Sequence, residues 1–185
     1  MVLSVAARAV AALVMGNTVV SLPGIEDQIS YHTLALRVLQ GHGFTFAQAW
    51  WPNTPAGAPT AHWSYLYTLV LAALHALSGA QPLAARLVQA VAAGLLTPWL
   101  TYRLAQRVLP SAAVPPALPA PLAAAAWTAV YGYLVYYAAA LMTEAFYILG
   151  LLWVLDCSLR LLGHASGPAT ARPLWPWAEL GLAIA

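Results

Sequence analysis

No residue between Arg37 and Arg86 carries a formal charge, and none between Arg107 and Glu144 does. A domain surrounded by water needs charged side chains at roughly 25% of its positions. Here 6% of the 185 residues are charged and 62% are hydrophobic. Uncharged stretches of that length are what a bilayer tolerates and what a water-exposed surface does not. The chain is therefore expected to be all-α: a polytopic transmembrane helix bundle, multi-pass in the plasma membrane, with an extracytoplasmic loop carrying short juxtamembrane helices. A soluble enzyme, a disordered linker and a coiled coil are excluded on the same ground. The lipid bilayer is the first partner this composition implies.

The formal net charge of +2 comes from seven arginines and no lysine. They form no basic run, so there is no footprint for nucleic acid. Cys157, the single cysteine, rules out an internal disulfide or a cysteine metal cluster and reads as inert packing.

Residues 2–22 are apolar apart from Arg8, Asn17 and a few hydroxyls. As one helix they reach about 32 Å, enough to cross if Arg8 snorkels to the cytoplasmic side. A cleaved signal peptide is the rival reading, but no clean A-x-A site follows. Pro23-Gly24 breaks that helix. Glu26-Asp27 opens a short amphipathic helix with Tyr31, Leu34, Ala35 and Val38 on one face and Gly41 as its stop. The loop 23–63 is extracytoplasmic on this reading, with Trp50, Trp51 and Trp63 suited to the membrane interface. A short apolar segment over 64–77 follows, then spans over 83–109, 122–140 and 143–162. Five prolines make 110–121 a loop, 163–173 is polar enough to be another, and a further span starts at 174. The chain reads as the N-terminal part of a longer protein.

The arginines choose between two topologies. If 64–77 crosses the membrane, Arg103 and Arg107 fall outside. If it is a juxtamembrane or re-entrant segment, about 21 Å long as a helix, then Arg103, Arg107, Arg160 and Arg172 all face the cytoplasm. Glu26, Asp27 and Glu144 then share the extracytoplasmic face. The second arrangement sorts the charges and is adopted.

Acids at membrane depth are costly and tend to be functional. Glu26, Asp27 and Glu144 also have a structural reading, as acids favoured at helix starts by the dipole, with Thr143 as an N-cap. Asp156 is most simply the i,i+4 partner of Arg160. His32, His42 and His62 share the extracytoplasmic region with Asp27, but no H-x-x-x-H or H-E-x-x-H spacing links them. No cofactor is required by any motif; a divalent cation is one option for these histidines, contact with an anionic head group another. There is no glycine-rich phosphate loop and no Ser-His-Asp ordering, so a water-soluble nucleotide donor is not supported.

The run LPGIEDQISYHTLALRVLQGHGF over residues 22–44 resembles the first extracytoplasmic loop of GT-C glycosyltransferases, in particular the protein O-mannosyltransferase and lipid A aminoarabinose transferase group. APTAHWSY at 58–65 resembles the family's Pro-rich entry to a short apolar segment. GAQPLAAR at 79–86 resembles its Gly-to-Arg step, RLAQR at 103–107 its basic helix end, and MTEA at 142–145 its Thr/Ser-Glu helix start. The resemblance implies a membrane enzyme that moves a sugar from a polyprenyl-phosphate carrier to an extracytoplasmic acceptor, inverting the anomeric configuration. By position Asp27 would be the catalytic acid/base, Glu26 its neighbour, and Glu144 a residue of the same cavity. At Ala61-His62-Trp63, where relatives carry a basic residue and paired prolines, the sequence departs from the pattern. The cations available for the carrier phosphate are His62, Arg86 and Arg37, with His32 and Tyr65 as further substrate contacts. A multi-span transporter with Glu144 as ion relay, or a non-catalytic membrane subunit, are the alternatives.

Overall fold

Helix-ending residues divide the chain much as the sequence suggests. The computed structural model describes residues 1–109, 119–165 and 174–184, and these form eight helices and no strand. They are α1 (Val2–Met15), α2 (Asp27–Leu39), α3 (Tyr65–Ser78), α4 (Pro82–Val108), α5 (Ala120–Val130), α6 (Gly132–Ala139), α7 (Glu144–Ala165) and α8 (Trp175–Ile184). Ser64 starts α3 by accepting the Tyr67 N–H on its side-chain oxygen. Gly79 ends it in the left-handed conformation, φ 70°, that a residue with a Cβ resists. Pro82 then sits at the first turn of α4, where its missing N–H costs nothing.

Two helices are long and apolar enough to cross a membrane: α4, and α7 over Glu144–Leu162. Contacts fix how the helices run. Asn17 just beyond α1 binds the Leu83 N–H at the start of α4, while Val5 meets Gly94 deeper along it, so α1 and α4 are antiparallel. Ala93 of α4 packs near Ala145 at the start of α7, and Arg103 and Arg107 reach Asp156 further on, so α4 and α7 are parallel. The α5–α6 pair returns alongside α4 and α1. Over one end of this bundle lie α2, α3 and the loop between them, closed on a core of Tyr31, Leu34, Phe46, Trp63, Tyr67 and Leu71.

Small residues let α1 approach α4 closely: Ala12 and Ala90 are buried against each other. A Cβ added at Gly94 would lie 2.8 Å from the Val5 Cα, closer than packed atoms come. Gly94→Ala is therefore expected to push the two helices apart and destabilise the protein by about 1–3 kcal/mol. A lowered thermal midpoint in detergent checks this; an unchanged midpoint would mean that the α1–α4 approach is not tight.

Four expectations change. The helix expected over 2–22 stops at Met15, because Gly16 turns to φ 56° and the carbonyls it leaves are taken by Arg86. Arg8 does not snorkel: it is fully buried, on the same stripe as Ser4 and Ala12. The single helix expected over 122–140 is broken at Tyr131, whose ψ of 118° leaves the helical region. The break frees carbonyls at the end of α5, and Arg8 donates to two of them, Ala129 O at 2.8 Å and Thr128 O at 3.0 Å. Trp63 is not interfacial; it is buried in the α2–α3 core, with Trp50 half-buried beside it, donating to Ser30 Oγ at 2.8 Å. Trp51 is exposed. Most of the 110–121 and 163–173 loops, with Arg172, lie outside the described residues, although α7 itself continues to Ala165.

Candidate functional site

Asp27 is the first residue of α2, and one turn on, at i+4, comes Tyr31 on the same helix face. The Tyr31 ring is held edge-on between Trp63 and Tyr67, at centroid distances of 5.4 and 4.9 Å. Its hydroxyl accepts the Ser64 N–H at 3.4 Å, which ties the start of α3 to α2; Thr143, just before α7, lines the same cavity as Tyr31. Tyr67, one turn into α3, donates to Gln89 Oε1 at 2.7 Å, and Gln89 Nε2 donates to Ala140 O at 2.7 Å. The result is a rigid aromatic and amide wall beneath Tyr31.

Against this wall opens a cavity of about 790 Å³, within the usual range for ligand sites. Its polar end is lined by Tyr31, His62, Ser64 and Thr143. From there it runs between α3 and α7 past Leu66, Val70, Phe146, Tyr147, Leu151 and Val154 towards Ile184 of α8. The chamber is amphipathic along its length: hydroxyls and an imidazole at one end, and beyond it apolar side chains with Tyr147 among them.

The two carboxylates flank the polar end without lining it. Asp27 and Glu144 both act electrostatically on Tyr31, and Glu144 also acts on Tyr67. Glu144 Oε2 is buried with no hydrogen-bond partner among the described residues. Partial burial pushes the Asp27 carboxyl above its ordinary range; the nearby His62 pulls it back down and Glu26 pushes it up. A base starting from a raised pKa is better matched to proton abstraction near neutrality.

The other candidates are committed elsewhere. Glu26 is exposed beside Asp27. Arg86 is fully buried and donates to Met15 O, Gly16 O, Thr18 O and Gln28 Oε1 at 2.5–3.1 Å. Arg37 binds Thr45, through Oγ1 at 2.9 Å. Tyr65 donates to Thr60 O at 3.0 Å and packs on Phe44. His32 faces His75, Nδ1 to Nε2 at 2.9 Å, and neither lines the cavity. Burial and the neighbouring His32 hold His75 down at about 4, and burial with Arg86 lowers His32. Of the three cations considered for a carrier phosphate, His62 alone lines the cavity. Among the described residues no group of three or more His, Cys, Asp or Glu is placed to hold a metal ion.

Sequence reasoning missed Tyr31, Ser64, Tyr67 and Thr143. Only Tyr31 left a local signal, its i+4 spacing from Asp27. Comparison with protein-family models, characterised proteins and solved structures gives no match.

Proposed function

We propose that this protein is a membrane glycosyltransferase that takes a sugar from a polyprenyl-phosphate donor and passes it to an extracytoplasmic acceptor. The observation that carries the proposal is the amphipathic cavity beside two acids. A polyprenyl-phosphate sugar is itself amphipathic, and the apolar groove between α3 and α7 matches its chain while Tyr31, His62, Ser64 and Thr143 match its polar end. Asp27, with its carboxyl raised towards neutrality, takes the proton of the acceptor hydroxyl as that oxygen attacks the anomeric carbon. The bond from the anomeric carbon to the phosphate oxygen breaks in the same displacement, which inverts the centre. The departing phosphate is met by the cavity hydroxyls and by His62.

The membrane setting is supported by an inverted distribution of side chains. Val2 and Val14 of α1 are 85% and 83% exposed while Arg8 on the same helix is 0% exposed. Arg86, Gln89, Thr68 and Asp156 are likewise buried, and Leu77, Leu95 and Trp127 face outward. Water would select the reverse arrangement; hydrocarbon selects this one. On this reading α4 and α7 span, α1 and the α5–α6 pair fill the bundle, and the α2–α3 cap with the cavity's polar end lies outside the cytoplasm.

The test is turnover. Membranes carrying the protein, given sugars linked to polyprenyl phosphate, are expected to release polyprenyl phosphate and glycosylate an acceptor, and to leave nucleotide sugars untouched. Turnover of nucleotide sugars, or none with any lipid-linked hexose or pentose, would contradict the proposal.

The raised carboxyl gives a pH dependence. A base works ionised, so activity falls as pH drops through the Asp27 pKa, above the usual carboxylate range. His62 favours the ionised form, so His62→Ala should move this acid limb to higher pH. A limb that stays in place in the variant would separate Asp27 from His62.

A further inference from the structure

At the opposite end of the bundle from the cavity's polar end, three guanidinium groups crowd one carboxylate. Asp156 is completely buried, and Arg103 Nη2, Arg107 Nε and Arg160 Nε lie 2.8, 3.0 and 3.1 Å from its oxygens. Arg160 is also matched by Glu179 of α8, with Nη2 to Oε1 at 2.6 Å and Nη1 to Oε2 at 3.0 Å. Three arginines against two acids leave one positive charge in surplus, and the pairing of Arg160 with Glu179 puts that surplus on Arg103 and Arg107. Their side chains are 28% and 34% exposed. Arg107 uses only Nε on Asp156, so Nη1 and Nη2 have no acceptor among the described residues.

What lies beside these two arginines identifies what would neutralise them. Val88, Val91, Leu95 and Trp99 recur at spacings of three or four along α4 and are exposed, which makes one continuous apolar stripe. The stripe ends where the Arg103 guanidinium sits 4.7 Å from the centroid of the Trp99 ring. Apolar stripe, then tryptophan, then guanidinium is the order of acyl chain, interface and phosphate in a lipid leaflet. A zwitterionic lipid carries its own ammonium and would leave the surplus charge uncompensated; an anionic one compensates it.

We infer that Arg103 and Arg107 form a binding site for the phosphate of an anionic phospholipid, whose acyl chain lies along the Val88–Trp99 stripe of α4. The shared Asp156 holds the two guanidiniums one helical turn apart, with Arg107 Nη1 and Nη2 presented outward. Surface-facing arginines are worth about fivefold each in binding to an anionic headgroup. The site rests on α4 and α7 spanning a membrane and is independent of the transferase reading.

The probe is phosphatidylglycerol. In nanodiscs of phosphatidylcholine doped with phosphatidylglycerol, the wild-type protein is expected to retain phosphatidylglycerol roughly 25-fold above its bulk share when retained lipids are counted by native mass spectrometry. R103Q/R107Q should return that ratio to the bulk share, and R103K/R107K should keep part of it. If the double variant does not fold, R107Q alone, which leaves Arg103 and Arg160 on Asp156, should lower retention about fivefold. Wild-type retention at the bulk share, or full retention by a folded R103Q/R107Q protein, overturns the site. Thermal stabilisation by inorganic phosphate in pure phosphatidylcholine discs, equal to that by phosphatidylglycerol, overturns the lipid assignment in favour of a free anion. A protein that does not enter discs at all refutes the membrane reading beneath it, whereas loss of sugar transfer leaves the site untouched.

Discussion

Asp27→Asn is expected to lower sugar transfer by about 10²–10⁴-fold, the usual cost of losing a positioned general base, while insertion and the thermal midpoint stay close to wild type. The amide matches the carboxylate in size but cannot accept the acceptor's proton. Little else depends on Asp27: it opens α2, its side chain is only partly buried, and the cap around it is held by Tyr31, Trp63 and Tyr67. Glu26→Gln should cost less, because Glu26 is exposed and acts on Asp27 only through its charge. Glu144→Gln should fall between the two: Oε2 is buried without a partner among the described residues, and its charge is felt at Tyr31 and Tyr67. Rates per milligram of folded protein check the order. A dead Glu26→Gln beside an active Asp27→Asn would exchange their roles, and three active variants would remove the mechanism and favour a non-catalytic membrane subunit.

Arg86→Met is expected to act on folding rather than on donor binding. The Arg86 guanidinium gathers Met15 O, Gly16 O, Thr18 O and Gln28 Oε1, and so joins the end of α1, the turn after it, α2 and α4. Methionine fills much of the volume and supplies no donor, which leaves four acceptors unmatched in the interior. Unmatched buried groups cost about 1–3 kcal/mol each. Allowing for partial rescue by water, the loss should be about 3 kcal/mol or more, and the unfolding midpoint should fall by roughly 10 °C. The donor KM of the surviving protein should change little. An unchanged midpoint together with a raised donor KM would return Arg86 to the carrier phosphate.

These two residues show where local sequence is informative. The boundaries of α2, α3, α4 and α7 fall at residues that mark helix ends locally: Asp27 and Glu144 as first-turn acids, Ser64 as an N-cap, Pro82 in a first turn, and Gly41 and Gly79 just past a last one. The i,i+4 pairing of Asp156 with Arg160 was likewise legible, but its contacts with Arg103 and Arg107 were not, since they join separate helices. Arg8 was misread for the same reason. A lone arginine near the end of an apolar stretch suggests snorkelling, yet besides Ser4 one turn back its acceptors are carbonyls of Thr128 and Ala129 more than a hundred residues away. The break at Tyr131 and the burial of Arg8 explain each other, and neither can be seen without the other. In the candidate site, the acids and His62 were visible as chemistry. The hydroxyls of Ser64, Tyr67 and Thr143 were not, because nothing in their spacing marks the place where α3 and α7 converge on Tyr31.

The central claim is that a lipid-linked sugar donor occupies the cavity between α3 and α7, and photo-crosslinking tests it most directly. A polyprenyl-phosphate sugar with a diazirine in its first isoprene units, irradiated on the membrane-embedded protein, is expected to label Leu66, Val70, Phe146 or Tyr147, and an excess of unlabelled donor should suppress the labelling. Labels scattered over the outward faces of α1 and α4 and indifferent to competing donor would contradict it.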